Sequence, residues 1–163
     1  MIKFRLLLIV VSLTMLATSV VKADLSILPF TKGSFAAIKK QHQNKPYILV
    51  FWSESCNYCM KELALFGELH KHYPKVAIIT VATDVFLEEN IVNDVLHRSH
   101  LDPNQNWVFA EQFPEGIYAD VNKRWRGELP VTHFFDRNNQ ETRHMGIVKK
   151  DELIEWLSAQ SLD

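Results

Sequence analysis

Residues Tyr47 to Trp52 read Tyr-Ile-Leu-Val-Phe-Trp, an unbroken apolar run, and Cys56-Asn57-Tyr58-Cys59 follows after the turn residues Ser53-Glu54-Ser55. A short, continuous run of β-formers predicts a strand covered on both of its faces. From Cys56 to Tyr73 the period changes. Cys59, Leu63, Phe66, His70 and Tyr73 recur at spacings of three and four and define one face of a helix. Lys61, Glu62, Glu68 and Lys71 fall largely off that face, and Pro74 reads as the helix stop. A strand buried on both sides requires a sheet with a layer packed on each face, which restricts the chain to layered α/β architectures.

The rest of the chain extends the same alternation. A helix is expected over 34–43, stopped by Asn44-Lys45-Pro46, with Phe35 and Ile38 as core candidates; a strand over 76–82 and a helix over 88–97 follow. Asp102-Pro103-Asn104 reads as a turn, 107–109 as a short strand and 118–125 as a helix, preceded by the breakers Pro114 and Gly116. Residues 131–135 form the next predicted strand, 136–140 a hairpin turn and 142–148 its partner, with Gly146 inside it. Asp151 is expected to cap a final helix carrying Leu153, Ile154, Trp156 and Leu157. Alternating strands and helices imply parallel pairs joined by crossovers, and the late hairpin adds antiparallel strands. The expected fold class is α/β, with a central mixed sheet flanked by helices on both faces.

Residues 1–23 read as an address. Lys3 and Arg5 precede an apolar run from Leu6 to Ala17, and Val21 and Ala23 are small residues two apart. That order predicts a signal peptide cleaved after Ala23, leaving a domain over 24–163. A retained N-terminal anchor is the alternative, although the apolar stretch of 16 residues from Leu6 to Val21 is shorter than the roughly 20 that span a bilayer. No membrane span is expected in the mature chain. Loss of Lys3, Arg5 and Lys22 with the leader takes the net charge from −1 to about −4. That balance offers nothing to nucleic acid or to an anionic membrane surface. No phosphate-binding glycine loop is present.

The chemistry lies at Cys56 and Cys59, where a buried strand gives way to a helix. Backbone N–H groups at a helix start lack intrahelical acceptors and carry partial positive charge. A thiolate there is stabilised, and the thiolate is the species that attacks a disulfide. Cys59, one turn further on, is within reach of Cys56. Cys56 is the expected attacking, more exposed sulfur, and Cys59, on the apolar stripe, the buried resolving one. Two other readings compete. A structural disulfide would close only a short loop and constrain little of the unfolded chain. A metal site usually needs further paired Cys or His ligands, whereas the chain has two Cys and seven scattered His.

The stretch Phe51-Trp-Ser-Glu-Ser-Cys-Asn-Tyr-Cys-Met-Lys-Glu62 resembles the active-site segment of the thioredoxin superfamily, and is most similar to exported TlpA/ResA/DsbE-type thiol–disulfide oxidoreductases. Leu129-Pro130-Val131-Thr132-His133-Phe134-Phe135-Asp136 resembles their second motif, and 84–125 resembles the extra central segment of that branch. The resemblance implies a thioredoxin-like fold, a redox-active Cys56–Cys59 disulfide and a cis Pro130 beside it. It further implies that Leu129, Pro130 and Val131 shape a groove for an extended substrate segment. No cofactor is implied, since the sulfurs carry the electrons. Expected partners are protein thiols and disulfides, such as apocytochromes in cytochrome c maturation, and a membrane electron donor. The expected location is periplasmic or otherwise exported, and the expected direction is reduction. The sequence departs from the family at Val50, where thioredoxins proper have a buried Asp, at Ser55, where Trp is usual, and at Glu128, where Gly is common. Glu54 and Glu128 are candidates for tuning the thiol pKa values. His133 replaces an apolar residue; a hydrogen-bonded core histidine is one reading, and a copper-binding chaperone module using Cys56, Cys59 and His133 is the other.

Overall fold

The computed structural model describes residues 27–101 and 106–161; the predicted leader over 1–23 and the turn at 102–104 lie outside them. Along the chain the elements are β1 (Leu28–Phe30), α1 (Ser34–Gln41), β2 (Tyr47–Trp52), α2 (Asn57–His70), β3 (Ala77–Ala82), α3 (Glu89–Arg98), β4 (Asn106–Phe109), α4 (Glu115–Val121), β5 (Val131–Phe135), β6 (Glu141–Met145) and α5 (Lys150–Ser161). The strands form one mixed sheet in the order β1-β4-β3-β2-β5-β6. The pairs β1–β4, β4–β3 and β3–β2 are parallel, while β2–β5 and β5–β6 are antiparallel. The architecture is the thioredoxin-like α/β fold.

β2 lies inside the sheet and every one of its residues is buried. Strand side chains alternate between faces. Ile48, Val50 and Trp52 join a core with Cys59, Leu63 and Phe66 of α2, Val92 and Val95 of α3 and Leu153 of α5. Tyr47, Leu49 and Phe51 join a second core with Phe35 and Ile38 of α1, Ile117 and Val121 of α4, and Trp125. Thus α2, α3 and α5 cover one face, α1 and α4 the other.

Several element boundaries differ from the expectation for identifiable reasons. β1 escapes pattern reading because it has only three residues and contains Pro29; an edge strand tolerates a proline there. α4 occupies 115–121 rather than 118–125, since Pro114 provides its N-cap instead of excluding a helix. Asn122 breaks out in an extended conformation, yet Trp125 stays buried in the turn beyond it. α2 stops at His70, short of Pro74, with His72 N–H donating to the Leu69 carbonyl at 2.9 Å. Gly146 lies just past β6 with φ +87°, a left-handed turn that glycine adopts freely, and not inside a strand. Lys150 already belongs to α5, so Asp151 sits in its first turn and does not cap it.

Candidate redox site

Cys56 is the N-cap of α2. Its backbone is extended (φ −91°, ψ 97°), and its sulfur accepts the Cys59 N–H at 3.1 Å. The cap position is ordinarily filled by an oxygen acceptor; here the sulfur takes an otherwise orphaned helix donor. No acidic residue stands in the first turn of α2 to offset the partial positive charge of the helix end. Cys56 and Cys59 form a disulfide with Cα atoms 5.2 Å apart. Cys59 has no exposed surface, whereas Cys56 is only partly buried. An incoming sulfur therefore meets Cys56 first. Between them Tyr58 is 62 % exposed, with the Lys61 ammonium 5.7 Å from its ring.

Below the disulfide lies a group that, by residue type and by its place at the margin of the apolar stripe, is expected to be off the buried face of α2. Glu62 has no exposed surface. It follows Cys59 by three positions, hence by about one helical turn on the same side. One carboxyl oxygen accepts the Thr132 hydroxyl at 3.1 Å and the other the Val148 N–H at 3.0 Å. Burial pushes its pKa up to about 7, against the opposing pull of those two hydrogen bonds. The signal was present in the spacing, because Glu62 shares a helix side with Cys59 and Phe66. The residue type argued against burial.

Phe51 pairs with Val131, which puts Pro130 at the end of β2 that leads into the Ser53–Cys56 turn. The Leu129–Pro130 peptide is cis, and the Pro130 carbonyl accepts the Gly146 N–H at 2.9 Å. Leu129 is half-buried and touches both cores, while Pro130 is buried. Val131 departs from its expected place in a substrate groove. Its side chain is wholly buried in the α1/α4 core, on the far face of the sheet from Cys59. Exposed apolar surface next to Pro130 comes instead from Met145 and Ile147. Glu54 is exposed, and its backbone N–H donates to Asp84 at 2.9 Å. Glu128 turns toward its own loop, where the Arg126 N–H at 2.8 Å holds its carboxyl below the usual range.

His133 is fully buried and lies on the face opposite Cys59. Its ring contacts Phe35, Phe51 and Phe135, and its Nδ1 is 2.8 Å from Glu141 Oε1, whose other oxygen accepts Lys39 Nζ at 2.8 Å. The His133 bond, reinforced by Lys39, lowers the Glu141 carboxyl to about 2. This corrects the three-ligand copper reading: strand alternation puts the sheet between His133 and the Cys59 side chain. Among the described residues, no group of three or more His, Cys, Asp or Glu side chains is placed to hold a metal ion. Nor is any described helix long and apolar enough to cross a membrane.

Residues 35–161 match the family model described as a thioredoxin-like domain. No curated protein matches the chain by sequence. Among solved structures, a secreted Mycobacterium tuberculosis disulfide oxidoreductase homologous to Escherichia coli DsbE aligns over 74 % of this chain and 85 % of its own, at 22 % identity and a TM-score of 0.60. A secreted thiol–disulfide isomerase from Corynebacterium glutamicum aligns over 76 % and 75 %, at 15 % identity and a TM-score of 0.60. StoA from Bacillus subtilis aligns over 70 % and 83 %, at 21 % identity and a TM-score of 0.50. At these identities the likeness is one of fold.

Proposed function

The chain belongs to the thioredoxin-like domain family, and from that premise we propose that it is an exported thiol–disulfide oxidoreductase that reduces disulfides in protein substrates. The observation that carries the reading is the Cys56 sulfur at the N-cap of α2, partly exposed and bonded to a buried Cys59. In the reduced protein the Cys56 thiolate attacks a substrate disulfide. A bond forms between Cys56 and one substrate sulfur, and the other leaves as a thiolate that takes a proton. Cys59 then loses its proton and attacks Cys56, releasing the second substrate sulfur. The substrate gains two electrons and the Cys56–Cys59 disulfide is restored. Glu62, buried one turn below Cys59 with a pKa raised to about 7, is suited to receive the Cys59 proton. Leu129 and the Pro130 turn, beside Met145 and Ile147, offer the flanking surface for an extended substrate segment.

The 1–23 leader pattern supports export, as do the secreted structures of the same fold. The elements α3, β4 and α4 between β3 and Pro130 support the reductive branch of the resemblance, with a membrane donor returning electrons and clients such as apocytochromes receiving them. The test is trapping. Cys59→Ala is expected to accumulate mixed disulfides through Cys56, and Cys56→Ala to accumulate none. Equal trapping by both variants overturns the assigned roles. Equilibration of the pair with glutathione fixes the direction. Family dithiols span roughly −270 to −120 mV, and a value at the oxidising end overturns the reductant reading.

A further inference from the structure

The turn that presents Cys56 is held from outside by one side chain. Asp84 lies two positions beyond Ala82, the β3 partner of Trp52. Its Oδ1 accepts the Ser53 hydroxyl at 2.8 Å and its Oδ2 the Glu54 N–H at 2.9 Å. The Ser53 carbonyl in turn accepts the Cys56 N–H at 3.1 Å. Ser53 therefore links the carboxylate at one end to the backbone of the attacking cysteine at the other. Ser53 Oγ also lies 3.1 Å from Ser55 Oγ. A serine has a single hydroxyl hydrogen. Ser53 commits its own to Asp84, so Ser55 is the donor in that pair. The hydroxyl adjacent to Cys56 is thus aimed at Ser53 and not at the sulfur.

We propose that Asp84 is a positioning residue for the dithiol, fixing the Ser53–Cys56 turn and restraining ionisation of the Cys56 thiol through its carboxylate and the Ser55–Ser53 hydroxyl relay. The proposal rests on the oxidoreductase reading above and names what biases that site toward electron donation. A carboxylate near a thiol disfavours the thiolate, and so does removing a hydroxyl that could donate to it. A less stabilised thiolate makes the dithiol less stable relative to the disulfide, hence the stronger reductant. Other charged and titratable groups around the turn and its carboxylate include Lys61 and the buried Glu62 on α2, Glu54 in the turn itself, Glu128 with Arg126 in the loop before Pro130, Arg143 of β6 beside Glu128, and Tyr118 with Glu115 of α4 on the Asp84 side. Of these acids, Asp84 is the one whose carboxylate hydrogen bonds into the Ser53–Cys56 turn.

The experiment compares full-length reduced protein with Asp84→Asn, following the rate of Cys56 alkylation by iodoacetamide against pH and the equilibrium with a glutathione redox buffer. The expected result is an alkylation midpoint lowered by about half a pH unit, with roughly threefold faster alkylation below the midpoint and an equilibrium shifted toward the dithiol. An unchanged or raised midpoint overturns the proposal, because a purely structural brace alters stability without lowering the thiol pKa. Ser53→Ala, which keeps the carboxylate but frees the Ser55 hydroxyl, is expected to move the midpoint the same way by less. An unmoved midpoint in that variant overturns the relay, and it serves equally if Asp84→Asn does not fold. Failure of the oxidoreductase reading shows separately, as wild-type protein unable to exchange with a substrate disulfide.

Discussion

A carboxyl group with no contact to water, held by one hydroxyl and one amide, keeps its proton longer than an exposed acid does, and this has a measurable sign at Glu62. Its folded pKa of about 7 lies above the ordinary value of 4.5. Between those values the folded state binds more protons than the unfolded chain, so stability falls as pH rises through that window and the loss is complete above about 7. The full effect is about 3 kcal/mol. Glu62→Gln preserves the shape and removes the titration. Urea denaturation at pH 5 and pH 8 is expected to show wild type losing stability that the variant retains, and parallel pH dependence in the two proteins overturns the assignment. The same position teaches how a side chain is misread. Helical spacing put Glu62 beside Cys59, but a glutamate has few reasons to be buried unless partners await it. Those partners, Thr132 and Val148, are 70 and 86 positions away.

Helix α2 is pinned against α3 at a point where no side chain fits. A Cβ added to Gly67 would lie 1.7 Å from the Ser99 carbonyl oxygen and 2.8 Å from its carbon. Both are backbone atoms just past the end of α3, so relief requires one helix to move relative to the other. Gly67→Ala is therefore expected to destabilise by about 3 kcal/mol, although alanine is the better helix former by about 1 kcal/mol. Thermal unfolding checks this, and a variant as stable as wild type contradicts the close packing. Among the elements, the long periodic ones were readable: β2, α2, β3 and β5 emerge from apolar runs and helical spacing alone. β1 was not, and α4 only with its bounds displaced, because Pro29 and Pro114 are breakers by composition but an edge-strand and an N-cap residue in place. Similarly, the strand β5 was predicted with its limits, but not which face Val131 and His133 take.

Two buried or half-buried carboxyls set opposing slopes on the stability of the whole domain. Glu141, lowered to about 2 by His133 and Lys39, binds fewer protons in the folded state than in the unfolded chain. Its contribution is present above about 4.5 and is lost as pH falls toward 2. Glu62 acts the other way between 4.5 and about 7. Stability is thus expected to peak near pH 5 and to decline on both sides. Thermal midpoints at pH 3, 5 and 8 test it, and a midpoint highest at pH 8 counts against the pair. The Lys39–Glu141–His133 chain also ties α1 to β5 and β6, joining one helical layer to one end of the sheet. Local order along the chain was enough to determine the alternation of strands and helices, the antiparallel finish, and a cysteine pair where a buried strand passes into a helix. These depend on neighbours within a few positions and on the period of apolar side chains. The tertiary structure decided that Glu62 is buried against Thr132 and Val148, that Asp84 grips the turn before Cys56, and that His133 faces away from the sulfurs. The reason is that buried polar groups are satisfied by residues distant in sequence, and only the register of the folded sheet brings those residues together.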